Sequence, residues 1–173
     1  MYAQAKNYLL EQLKGAGLKS KPHTTQKALE RSQESHIGAV LFESETFARN
    51  GSKTRYSDQT GARKKRRKVF DRTLAFTVII GDYNDDAVEE MLERFLSNLG
   101  RGITVDGNFI PIEVEGADWV DSDDSILKAK VAVQVKVRFD GGVYKDTDFA
   151  QVSELEIESV TKNGKEPTDG DEE

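Results

Sequence analysis

Val69-Phe70-Asp71-Arg72-Thr73-Leu74-Ala75-Phe76-Thr77-Val78-Ile79-Ile80-Gly81-Asp82-Tyr83 runs directly into Asn84-Asp85-Asp86-Ala87-Val88 and a helix-patterned stretch closing at Leu99-Gly100. The first part reads as a strand. Phe70, Leu74, Phe76, Val78 and Ile80 share one face, and Val69, Thr73, Ala75, Thr77 and Ile79 share the other. Apolar residues on both faces toward its end place this strand in the centre of a sheet. Gly81-Asp82-Tyr83 turns the chain. Val88, Met91, Leu92, Phe95, Leu96 and Leu99 then recur at the spacing of one apolar helix face. Asn84, Asp85 or Asp86 supplies the cap, and the two acids suit the positive end of the helix dipole. Gly100 reads as the glycine that ends the helix.

Immediately before this unit stand six consecutive basic residues, Arg63, Lys64, Lys65, Arg66, Arg67 and Lys68. Over residues 53–68 eight basic side chains, including Lys53 and Arg55, face one acid, Asp58. That net of +7 leaves −13 for the rest of a chain whose total is −6. Along an extended chain Arg63, Lys65 and Arg67 point one way and Lys64, Arg66 and Lys68 the other. An arm positive on both faces does not pack on its own core. It needs solvent, phosphate or an acidic neighbour.

Further out the patterns weaken. Residues 2–14 read as a helix through Ala5, Leu9, Leu10 and Leu13, stopped by Gly15 and Gly17. Residues 25–34 read as a short helix or an irregular connection. Residues 37–47 are strand-like, and Asn50-Gly51 predicts a tight turn that sends residues 52–56 back as a hairpin arm. Thr60-Gly61 is another break. Asp106-Gly107 predicts a second hairpin, with Pro111 marking a sheet edge. Residues 115–125 read as an acidic loop carrying Trp119. Residues 126–139 alternate as a strand with one buried face, ended by a turn at Gly141-Gly142, and residues 154–161 read as a last strand. The sum is an α+β domain: a largely antiparallel or mixed sheet, two principal helices on one face, and a projecting hairpin. Residues 1–162 form one domain, and residues 163–173 form a disordered acidic tail.

The totals narrow the classes. At 173 residues, 36% hydrophobic and 32% charged, the chain suits a single domain. It has no cysteine, which excludes disulfides, thiolate metal sites and a Cys nucleophile. No secretory signal or membrane span is read, so the expectation is a cytoplasmic protein without a membrane partner. The Asn50-Gly51-Ser52 sequon is incidental on that reading.

Catalytic patterns fail when tested. An EF-hand register from Asp121 puts Ile126 where glycine is needed and Ala132 where glutamate is needed. Glu113, Asp124 and Lys128 offer the types of a metal-dependent nuclease, as any acid-rich α/β protein does. His23 and His36 sit in no defined triad, and no phosphate-binding glycine loop is present. The expectation is a non-enzyme without a cofactor or metal. The basic block has three readings: a solvated loop, a phosphate or nucleic-acid contact, and a contact with an acidic surface, including that of another copy. Acids for such a contact lie in residues 113–124 and 154–173.

The order of elements and the wording of His36-Ile37-Gly38-Ala39-Val40-Leu41-Phe42-Glu43, Phe76-Thr77-Val78-Ile79-Ile80-Gly81-Asp82 and Lys128-Ala129-Lys130-Val131-Ala132-Val133 resemble small phage and prophage tail-completion proteins. In particular they resemble the tail terminators of Mu-like contractile-tailed phages. The resemblance spans roughly residues 1–160. It implies a structural virion protein, assembled in the host cytoplasm into a hexameric ring. Such a ring caps the tail tube, stops its polymerisation and meets the head connector. On this reading Lys53, Arg55, Arg63, Lys64, Lys65, Arg66, Arg67 and Lys68 sit at a subunit or tube contact. Trp119, the one tryptophan, reads by residue type either as a ring covering one end of the core or as an interface anchor. Nucleic acid is the less favoured partner.

Overall fold

The computed structural model describes residues 1–58, 60–121 and 131–149. The elements are α1 (Tyr2–Gly15), α2 (Gln26–Glu30), β1 (Ile37–Arg49), β2 (Lys53–Ser57), β3 (Arg63–Asp82), α3 (Asp85–Asn98), β4 (Gly102–Val105), β5 (Asn108–Asp121) and β6 (Val131–Asp148). They form an α+β fold on a six-stranded open sheet of order β1-β3-β6-β5-β4, with β2 also on β3. Every strand pairing in it is antiparallel.

The strand and helix that the sequence marks most strongly are both present. β3 is internal, between β1 and β6. Its Leu74, Phe76, Val78 and Ile80 join Val133, Val135, Val137 and Phe139 of β6 under Ala5, Leu9 and Leu13 of α1 and Val88, Met91, Leu92 and Phe95 of α3. Both long helices therefore pack on one face of the sheet. A smaller cluster of Leu29, Ile37, Ala39 and Ile79 seats α2 on the other. Thr25 caps α2 by accepting from Ala28 N–H, and Asn84 caps α3 by accepting from Ala87 N–H.

Four local expectations are corrected. Asn50-Gly51 makes no hairpin. β1 and β2 lie end to end along the same edge of β3, Arg49 opposite Phe70 and Lys53 opposite Arg67. The Asn50 side chain donates to Asp71 and accepts from Ser52 N–H, which pins a jog instead of a reversal. The reversal comes at residues 58–62, where Asp58 accepts from Thr60 and Ala62 N–H and Gly61 takes φ +82°.

Gly141-Gly142 makes no turn either, because β6 runs through it to Asp148. These glycines make room instead. A Cβ at Gly141 would lie 2.6 Å from Met1 Sδ, and one at Gly142 would run into the Lys68 side chain.

Residues 115–121 belong to β5, not to a loop, since Glu115 and Asp118 find cations on β6. Gly100 is not a left-handed cap. Leu99 turns extended at ψ 119°, and Gly100 N–H donates to the Tyr8 hydroxyl at 2.7 Å. The Asp106-Gly107 hairpin is present, with both residues at positive φ. The expected strand at 154–161, the acidic tail and residues 126–130 lie outside the described residues.

Candidate functional site

Beyond the core, β3 continues as an arm built from β2, residues 63–68 and the end of β6. Four rows cross it: Lys53–Arg67–Lys145, Thr54–Arg66–Asp146, Arg55–Lys65–Thr147 and Tyr56–Lys64–Asp148. Alternation sorts the basic block as the pattern predicts. Arg63, Lys65 and Arg67 are exposed, while Lys64, Arg66 and Lys68 are partly covered.

The covered face is neutralised from within the chain, which corrects the expectation that both faces stand bare. Arg66 donates to both carboxylate oxygens of Asp146, at 2.8 and 2.7 Å, and reaches Asn108 at 3.1 Å. Its guanidinium also lies 4.7 Å from the Tyr56 ring centroid. Lys64 pairs with Asp148, and Lys68 with Asp71 at 2.6 Å. The bidentate geometry makes Arg66–Asp146 the strongest of these, although partial exposure screens it.

Arg66 holds the Asp146 carboxyl down at about 2, below its ordinary 3.8, and Tyr56 donates to it as well. That same carboxylate raises Arg66 and Tyr56. A carboxyl depressed in the folded state contributes stability above its unfolded value. The contribution is lost as pH falls from about 4 through 2. Acid titration followed by NMR at Tyr56 and Tyr144 is expected to show the arm loosening in that window. Asp146→Asn is expected to abolish the step.

The opposite face carries Lys53, Arg55, Arg63, Lys65, Arg67 and Lys145, and among the described residues no carboxylate pairs with any of them. Phe149 is the aromatic on this side, its ring centroid 4.4 Å from Lys65 Nζ and 5.8 Å from Arg55 Cζ. Sequence reasoning missed Tyr144, Lys145, Asp146, Asp148 and Phe149, because it ended the strand at Gly141-Gly142. The signal was there: Tyr144, Asp146 and Asp148 alternate with Lys145 and Thr147.

The acids expected to meet the arm behave differently. Glu113 and Glu115 pair with Arg138, and Asp118 with Lys136 at 2.9 Å, all across β5–β6. Trp119 lies opposite Val133 and is 49% exposed. β5 pairs with β4 through Pro111, and Ile112 N–H donates to Arg101 O at 3.0 Å; beyond that point its outer edge is open among the described residues. The outer edge of β1 is likewise open among them except at Ala39, which bridges His23.

His36 is committed to structure. Its Nε2 accepts from Lys19 N–H at 3.0 Å, which leaves the proton on Nδ1 to reach Asp82 at 2.7 Å. No group of three metal-ligating side chains occurs among the described residues. Asp123, Asp124 and Lys128 lie outside them.

No family model matches the chain, and no curated protein matches it. Among solved structures it is similar to the sheath/tube terminator of PVC, an extracellular contractile injection system, in its extended state. The TM-score is 0.49 at 10% identity, covering 94% of this chain and 63% of that one. It is also similar to a chain from the tail of an empty GTA particle, with TM-score 0.27 and 14% identity over 72% of this chain and 98% of that one. The chain thus spans less than two thirds of the terminator's length. Likeness at this level carries no functional assignment by itself.

Proposed function

We propose that the protein is a structural tail-completion protein of the terminator type. It acts as a closed homo-oligomeric ring that caps a tail tube and meets the head connector. The sequence resemblance supplies the class. The observation that carries the assembly is a pair of strand edges, on β1 and on the later part of β5, that are open among the described residues except where Ala39 bridges His23. β1 is 13 residues long, and β5 runs on past its pairing with β4 to Asp121. Each bears a large exposed apolar side chain, Phe47 on β1 and Trp119 on β5. Long unpaired edges are an aggregation hazard unless something covers them. Joining unlike edges head to tail repeats the same contact and closes a ring when the rotation permits. In this reading Trp119 anchors the contact, and Lys53, Arg55, Arg63, Lys65 and Arg67 face a neighbouring copy or a tail component. Lys64, Arg66 and Lys68 hold the arm in shape.

Native mass spectrometry and electron microscopy of the purified protein, alone and with tail tubes, test this. A single closed oligomer that sits on tube ends is expected. A monomer at every concentration, with bare tube ends, overturns it.

A further inference from the structure

The outward face of the arm extends beyond the basic block at its inner end. β6 alternates without a break through Val143, Lys145 and Thr147, so the rows it crosses share one face. In order they are Arg49–Phe70–Val143, Lys53–Arg67–Lys145 and Arg55–Lys65–Thr147, with Ser57–Arg63 beyond. Phe70 and Arg67 are three residues apart, and simple alternation sends them to opposite faces. The register shift between Lys68 and Phe70 puts one extra residue into β3 and brings both to the same side. The strip from the Phe70 row to the Arg63 row is about 20 Å long.

Its chemistry joins cations to aromatic rings. Lys53, Arg67 and Lys145 stand side by side across three strands, all exposed, and none of the residues in these rows is acidic. Like charges so placed destabilise a sheet, and dense negative charge laid on them relieves the repulsion. A ring lies at each end of the cations. Arg49 Cζ is 4.4 Å from the Phe70 ring centroid, and Lys65 Nζ is 4.4 Å from that of Phe149. Two concavities share Arg55. One of about 520 Å³ opens among Lys53, Lys65, Arg67 and Lys145, and one of about 380 Å³ opens between Arg63 and Phe149. An acidic peptide supplies charge to such a face but nothing for its rings. A single-stranded nucleic acid supplies both, a phosphate on every nucleotide and an unpaired base to stack.

We propose that the outward face of the arm binds single-stranded nucleic acid. Lys53, Arg55, Arg63, Lys65, Arg67 and Lys145 take the phosphates, and a base enters the smaller hollow against the Phe149 ring. A duplex groove admits a helix or a two-stranded ribbon, and this arm is three strands wide. Recognition is therefore by backbone charge and stacking, with little preference for sequence. Edge pairing in the proposed ring uses the backbones of β1 and β5, whereas this site uses side chains on the face of the arm. The inference goes beyond the ring and stands without it.

Fluorescence anisotropy of a labelled oligothymidylate titrated with the full chain tests this. Binding is expected at low ionic strength, with log affinity falling against log salt at a slope of about −4, the value for six phosphates neutralised on a single strand. Arg67→Glu with Lys145→Glu is expected to flatten the slope to about −3, because two contacts are lost. Phe149→Ala is expected to weaken binding about tenfold with the slope unchanged, because stacking releases no counterion. A polyglutamate peptide of the same charge is expected to compete poorly, and its own binding is expected to be the same with Phe149→Ala as with the parent. No binding at low ionic strength, parental affinity in Phe149→Ala, or competition by polyglutamate at equal concentration would each overturn the proposal, the last by giving the face to an acidic protein. Native mass spectrometry of the same samples reads the ring separately, so a failure of one reading is distinguishable from a failure of the other.

Discussion

Phe76→Ala is expected to remove about 3–5 kcal/mol of stability, the range for deleting a buried aromatic ring that its surroundings cannot refill. Phe76 is 1% exposed at the middle of β3. Its ring lies 5.9 Å from Tyr2, 5.7 Å from Phe42 and 5.8 Å from Phe139, centroid to centroid. These three partners come from α1, β1 and β6, so one deletion loosens the helix and both flanking strands together. A domain of this size has only about 5–15 kcal/mol to lose. Urea unfolding should show a much lower midpoint with little change in slope. Phe47→Ala is the contrast. Phe47 is 55% exposed on the outer strand, and its loss should change stability by no more than about 0.5 kcal/mol. Equal effects at the two positions would contradict the placement of the core.

Trp119→Glu is expected to abolish the proposed ring while the monomer stays folded. Trp119 stands half exposed on the open part of β5, opposite Val133. Tryptophan at the centre of a contact typically contributes about 2 kcal/mol or more, roughly 30-fold in affinity per contact. The loss recurs at every interface of a ring. The new carboxylate also joins Asp118 on an already acidic strand. Sedimentation and native mass spectrometry at matched concentration read the outcome, with circular dichroism as the check on folding. An unaltered ring would remove Trp119 from the interface. Arg67→Glu is the informative reversal in the arm. Reversing Arg66 instead confronts Asp146 with a second carboxylate and breaks the arm's own fastening.

The strand, turn and helix across residues 69–99 were legible because their signal is local. Each position states its own burial, and the periods of two and 3.6 do not overlap. Glycine pairs were misread because glycine permits a turn without requiring one. At Gly141-Gly142 the missing side chains admit Met1 and Lys68, neighbours from distant parts of the chain. At Gly100 the neighbour is Tyr8. The acidic stretch at 115–121 read as a loop because its solubility suggested solvent, whereas Arg138 and Lys136 neutralise Glu115 and Asp118 across the ladder.

The basic block divides along the same line. Alternation by itself determined that Arg63, Lys65 and Arg67 would part from Lys64, Arg66 and Lys68, because extended backbone sends successive side chains to opposite faces. Composition by itself determined that an acidic chain carries one concentrated positive segment. Which of the two faces is neutralised was decided only by tertiary structure. Asp146 and Asp148 lie about eighty residues away in sequence, and only the β3–β6 register brings them against Arg66 and Lys64. Charge is written residue by residue, but its compensation depends on distance across the sheet, and that distance exists only once the strands have paired.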